Sequence, residues 1–509
     1  MKKVLALVVS LLLLGSVIAC SSIEAASKKV VTYSLAEDFY TWDPAGQPSL
    51  PSYIARILIY DTLIESDHAG HYIPSLATKW SVSPNGKDWT FYLRKDVTFS
   101  NGEKFNANCV KATFERMAKD NTLAMHYLWV NLKSVEVVND FTAVFHFSQP
   151  YGAFISEVSV ASILPAKALE KEGSNLFKTN PGTGAWKFVS YDPGHQAVFE
   201  KNPNYWNWKG KKSNVDRLIF SPISEDTTRI SGVKTGEIDI AGDVPPDQAL
   251  SLKGKSGIVV RQDPGLTMTF MSVETGEGRI FFDKNARLAL MHCIDRELIV
   301  KSILGSGTAA YWPTMAGVIG YNKDAQTSKQ YAKYDPKLAK KLLAGSSYKG
   351  QEVYLMAIDG KVPRTKEVLQ AIQAMMTEVG FKVKLEIMEG ASFVAKRSKG
   401  NYDLGFSNIF YGNGSSLNHA NMHYTTDSAH TEFVNPKQLA LIKEASQSTD
   451  LKKQDALMQQ AFQISMQEAA PMIYVLSLDM FAVHSSKIKN LIVYPDGVMD
   501  LRRISIGGK

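Results

Sequence analysis

Cysteine is scarce in this chain: three thiols in 509 residues, at Cys20, Cys109 and Cys293. Cys109 and Cys293 sit in partly apolar, helix-like contexts, NANCVKATF and RLALMHCIDREL. They could pair in an oxidising compartment, but their separation in sequence gives no geometric support, and two buried free thiols is the reading adopted. A second long apolar run is missing as well. Beyond the N-terminus every apolar stretch is broken by charge, Gly or Pro before it reaches the ~20 residues of a membrane helix. No Lys/Arg-rich tract exceeds KGKK at Lys209–Lys212, and the net charge of +7 is spread over the whole chain, which argues against nucleic-acid binding. Catalytic signatures are absent too: no Gly-x-Ser-x-Gly elbow, no Walker loop, no His-Glu-x-x-His and no cysteine–histidine spacing. No internal repeat or low-complexity segment is evident.

What is present begins at the N-terminus. Lys2 and Lys3 precede an almost unbroken apolar run from Val4 to Gly15, and Val17-Ile18-Ala19-Cys20 follows. These are the proportions of a secretory signal peptide. The last four residues resemble the lipobox of bacterial lipoproteins, in which the cysteine is acylated and becomes the mature N-terminus. Residues 1–19 are therefore read as a signal peptide, Cys20 as the lipidation site and residues 20–29 as a tether reaching about 30 Å when extended. The protein is expected to work outside the cytoplasmic membrane, anchored to it; Ser21 lacks the aspartate that often marks inner-membrane retention.

About 490 residues remain, enough for two or three domains, with the 45% hydrophobic and 21% charged content of an ordinary globular protein. VVTYSL reads as a strand and Ser52–Ile64 as a helix carrying Ile54, Ile57, Leu58 and Leu63 on one stripe. The spacing predicts a helix over about Asn106–Met117, and a hairpin in SVEVVNDFTAVFHF turning at Asn139-Asp140. ARLALMHCIDRELIVKSIL predicts one amphipathic helix of nearly five turns. QEVYLMAI, TKEVLQAIQAMMTEVG and FKVKLEIM form the clearest strand–helix–strand unit, which calls for parallel pairing. Lys437–Gln447 and Gln454–Glu468 read as helices, and APMIYVLSLDMFAVHS returns to strand.

Five blocks in order carry a wider resemblance. Tyr60–Met117 contains a Pro-x-Leu-Ala-x-x-Trp element and a Leu-Arg-x-x-Val-x-Phe-x-x-Gly strand and turn. GTGAWKF with NPNYW, ARLALMHCIDRELIV, NYDLGF and APMIYV follow. Together they resemble the extracellular solute-binding proteins for peptides, nickel and opines, family 5, the receptors of ABC importers, across essentially the whole mature chain. The resemblance implies an α/β, two-lobed periplasmic-binding-protein fold of class II (cluster C) type, with an extra subdomain in the first lobe. Residues 30–265 would form lobe I, with the subdomain at about 66–181; 266–477 would form lobe II, and 478–509 would return to lobe I. It further implies capture of a small peptide or peptide-like solute by hinge closure, delivery to a membrane permease, no cofactor, no catalysis and a monomer. A metal-chelate receptor is the alternative. A periplasmic hydrolase, or a chaperone or adhesin on the same body, are readings from other classes.

Peptide binders of this family place an aspartate after a tryptophan beyond Tyr-Asp-Leu. Here Tyr411 takes the aromatic position and no acid occurs between Asp403 and Asp427. An ammonium group buried without a counter-charge is costly, which weakens the ordinary peptide site. The ligand candidates implied are Tyr40 and Trp42 after the first strand, Tyr127 and Trp129 in the subdomain, and Tyr411, Asn413 and His419 in the second lobe. Nickel-chelate receptors carry a histidine near the position of His419, with a one-residue gap in the match. His423 lies one helical turn on and His430 nearby, but surface histidines are preferred to a two-histidine metal site. The stretch SEVSVASILPAKAL lacks the arginines of those receptors. Arg279, Arg364 and Arg397 are candidate carboxylate partners in the second lobe.

Overall fold

The computed structural model describes residues 28–507, apart from Pro48 and residues 68–70, 209, 211, 413 and 425–432. The signal peptide, Cys20, Asn413 and His430 thus lie outside the described residues. Among the described residues no helix is long and apolar enough to cross a membrane.

A single hydrogen-bonded sheet of eleven strands runs through the body. At its centre lie two long antiparallel strands, Ile258–Val273 and Met472–Ser485, paired from Ile258 opposite Ser485 to Ser272 opposite Met472. Their register slips between Pro264 and Thr267, opposite Asp479 and Leu478. On one side of this pair come Leu404–Phe410, Glu352–Ile358 and Lys382–Met388; on the other, Ile240–Ala241, Val30–Leu35, Arg217–Pro222, Gln196–Lys201 and Trp186–Asp192, while the eleventh, Thr308–Ala309, pairs with Met472–Ser485 off this path. The expected strand–helix–strand unit is present. Glu352–Ile358 pairs in parallel with Lys382–Met388 across the helix Thr365–Val379, which Gly380 ends in a left-handed conformation (φ 116°).

The three largest of five hydrophobic clusters among the described residues organise this frame. One gathers Tyr33, Leu58, Trp186, Phe199 and Phe220 with the C-terminal Met499 and Leu501, so the chain's end closes the first lobe. A second holds Met271, Leu290, Trp312, Leu369, Phe406, Phe462 and Tyr474. The third, Phe91, Phe114, Trp129, Phe145 and Phe154, fills a four-stranded antiparallel subdomain whose hairpin pairs Leu132–Asn139 with Thr142–Phe147. Cys109 is buried in the subdomain and Cys293 in the second lobe, both as free thiols. Burial raises both above the ordinary thiol range, Cys293 to about 12, which makes them poor nucleophiles.

The five-turn helix is not formed as one piece. Lys284–Cys293 ends at Ile294, whose backbone is extended, and Asp295 then caps a new turn by accepting the Leu298 N–H. A wider turn, Ile299–Leu304, completes it. The break serves Arg296, which is 1% exposed and donates to the carbonyls of Met291, Ile294, Ala332 and Tyr474. A continuous helix would keep the Met291 carbonyl and its neighbours inside the helical ladder, away from the guanidinium.

Candidate ligand-binding cleft

The subdomain and the second lobe face each other across a cavity of about 580 Å³, within the size range of small-molecule sites. Tyr127, Asn131, Tyr151 and Glu157 line one wall; Asn418, Asn421 and the helix Pro436–Gln447, through Leu439, Ile442 and Lys443, line the other. The walls touch at one edge, where the Gly152 N–H donates to the Ser446 carbonyl at 2.9 Å. A side chain at Gly152 would run into the carbonyl of Ser448 and the amide of Gln454, so only glycine permits this approach.

The segment Tyr151–Ser162 continues from this cavity into a narrower one of about 50 Å³. There Arg56, Tyr60, Asp61, Glu65 and Arg502 of the first lobe face Gly412 of the second. Asp61 is buried and accepts from Thr183 (2.7 Å), Trp206 (2.8 Å) and Tyr205 (3.1 Å). Burial still raises its carboxyl above the usual range. Burial would likewise raise Asp500, but the Arg502 guanidinium outweighs it and holds the carboxyl below the usual range. Arg502 also donates to Glu65 at 3.0 Å, so its charge is neutralised within the protein.

Glu157 differs from both acids. It sits on the short helix Phe154–Val158, 1% exposed, and its Oε2 accepts the Tyr151 hydroxyl at 2.5 Å. No ion pair reaches it among the described residues. Burial pushes its carboxyl up to about 8, against the opposing hydrogen bond from Tyr151, so it is largely neutral near pH 7.

Of the sequence candidates, Tyr127 alone lines the large cavity; it is 66% exposed. Trp42 packs on Phe39, Phe188 and Tyr191, and it borders a depression of about 40 Å³ that shares Tyr53, Arg56 and Tyr60 with the narrow cavity. Tyr40 is exposed, with its hydroxyl on Glu37. Three candidates are buried and line neither cleft cavity. Trp129 has no exposed surface and packs edge-on against Phe114 in the subdomain core. Tyr411 is buried and donates to the Pro313 carbonyl at 3.1 Å. His419 is 3% exposed, its Nε2 lying 3.3 Å from the Tyr474 hydroxyl and its ring 4.5 Å from that of His423. The histidine pair shares a helix face, as its spacing allows, but that face points into the second-lobe core.

Arg364 donates to the Ile303 carbonyl, Arg279 to that of Gly400 at 2.6 Å, and Arg397 lies over the Phe393 ring. None of the three lines either cleft cavity. What the sequence reading missed is Glu157 and Tyr151, which line the large cavity. Just beyond the strand Leu404–Phe410, Tyr411 is buried while its neighbour Phe410 is 52% exposed beside Gly412. The signal for Glu157 is an acid set within the apolar run AFISEVSVASIL.

Comparison with known proteins agrees with this architecture. The glutathione-binding protein GsiB of Escherichia coli K12 is 25% identical over 501 residues, covering 96% of both chains. The solved structure of HbpA2 from Haemophilus parasuis superposes with a TM-score of 0.83 at 25% identity, covering 94% of this chain and all of that one. The periplasmic binding protein DppA of Helicobacter pylori, in complex with the peptide STSA, gives 0.74 at 25% identity, covering 96% of this chain and all of that one. The profile of bacterial extracellular solute-binding proteins, family 5 Middle, matches residues 71–431. With its two lobes and the cleft between them, the chain belongs to the family 5 extracellular solute-binding proteins.

Proposed function

We propose that this protein is the receptor of an ABC importer for a small peptide or peptide-derived solute, and that Cys20 holds it by lipid at the membrane where the permease sits. The observation that carries the reading is the cavity of about 580 Å³, whose two walls belong to the subdomain and the second lobe. A ligand there touches both walls and so favours the closed arrangement through differential contact. Relatives support the solute class: one is named for glutathione and another holds a tetrapeptide. A hinge near residues 265 and 478 is supported by the register slip of the central strands between Pro264 and Thr267. A tether of residues 20–29 would keep the loaded receptor near its partner and raise its effective concentration there.

The test is a thermal-shift and small-angle scattering screen of the mature protein against glutathione and a set of di- and tripeptides. A binder should raise the melting temperature, contract the particle and be recovered chemically unchanged. Recovery of a cleaved or modified product would overturn the receptor reading in favour of an enzyme. Separately, Cys20→Ala should move the protein from the membrane to the soluble extracytoplasmic fraction.

A further inference from the structure

We propose that Glu157 is the counter-charge for a primary ammonium group of the solute, received in the cavity between subdomain and second lobe and oriented by Tyr151. The proposal rests on the peptide-receptor reading and names the group that the site selects.

Glu157 lines the cavity, and its carboxyl has one hydrogen bond, from Tyr151 to Oε2. Its Oε1 has no hydrogen-bond partner among the described residues, so one acceptor oxygen is left for a ligand. A buried carboxylate is stable only when paired, and no cation among the described residues pairs with this one. The titratable groups around it are the phenols of Tyr151, Tyr127 and Tyr72, all raised chiefly by burial, so they stay neutral across the physiological range. Lys443, on the opposite wall, is exposed to solvent. The empty site therefore holds a neutral acid, with its carboxyl pushed up to about 8.

An arriving ammonium changes the balance. Its charge stabilises the carboxylate, Glu157 gives up its proton to solvent, and the ion pair forms in a place where no other charge competes. The same wall answers the absence in the second lobe, where Gly412 borders the cleft and no acid occurs between Asp403 and Asp427. The counter-charge has moved from one wall of the cleft to the other.

A library of di- and tripeptides with free amino termini, and its N-acetylated copy, tests this on the intact mature protein. The free-amine library should contain binders whose acetylated forms bind at least tenfold more weakly. Calorimetry of one such binder at pH 7, in two buffers of different ionisation enthalpy, should show net proton release. Glu157→Gln should weaken that binder at least tenfold and abolish the proton release. Equal binding of free and acetylated peptides, or no proton release from the wild-type protein, overturns the proposal while leaving the receptor reading intact. If neither library binds, the receptor reading itself fails and the proposal with it.

Discussion

Tyr127 and Trp129 stand two residues apart and have opposite surroundings. Tyr127 opens onto the cavity, whereas Trp129 is sealed among Phe114 and Phe154. Trp129→Ala should cost about 3–5 kcal/mol in urea unfolding, because the hole it leaves is closed on all sides. Tyr127→Ala should leave stability within about 0.5 kcal/mol and instead weaken solute binding, read by calorimetry. Glu157 makes a pH prediction of its own. An exposed glutamate ionises near about 4.3, whereas this one stays protonated in the folded chain up to about 8. The folded state thus holds the extra proton. Its contribution to stability is fully present below the lower value and is lost as pH rises through the upper one. In that window it gives a slope of up to about 1.4 kcal/mol per pH unit. Melting curves of the unliganded protein should fall more steeply between pH 5 and 8 for the wild type than for Glu157→Gln. At this scale the sequence was least legible. Residue type marks aromatics as useful surface, but burial chooses among them, and burial is set by neighbours outside the local pattern, Phe114 and Phe154 for Trp129 and Pro313 for Tyr411.

Elements with one strong period were readable, and elements shaped by a single buried charge were not. The parallel unit around Thr365–Val379 and the hairpin at Asn139 follow from local pattern; the structure adds their neighbours' caps, Asn106 accepting the Asn108 N–H and Asn435 those of Lys437 and Gln438. The helix over Ala286–Leu304 failed because its apolar period runs on unbroken while the backbone does not. Asp295 and Arg296 decide the matter through a cap and four hydrogen bonds, two of them long-range, to Ala332 and Tyr474. Asp295→Ala should cost about 1 kcal/mol, the usual value of a lost cap. Arg296→Met should cost more, at least about 2 kcal/mol, since several buried carbonyls lose their donor together. Chemical denaturation of the two variants should preserve that order; equal costs would mean that the cap, not the guanidinium, holds the break.

For the whole molecule, the decisive contact is the meeting of Gly152 with Ser446 at the edge of the cavity. Gly152→Val would set a side chain against the Ser448 carbonyl, a backbone group that cannot swing aside. The clash disturbs a buried backbone contact, so the variant should melt below the wild type, bind solute at least tenfold more weakly, and contract less than the wild type when scattering is measured with solute present. A normal contraction would show that closure does not need this edge. The two-lobed plan itself was legible because five separated blocks occur in order. The shape of the cleft was not, because its walls come from segments near residues 60, 127, 157, 412, 443 and 502, and no local pattern joins them. The central strands carry a further consequence. Thr267 and Leu478, beside the boundaries proposed for the second lobe, face each other across the ladder. Opposed residues of an antiparallel pair lie about 5 Å apart, so everything between them is a closed loop on a narrow stalk. Such an insert can be exchanged as a cassette without rethreading the remainder. Recombination between relatives could then replace one wall of the recognition surface in a single event, leaving the opposite wall in place.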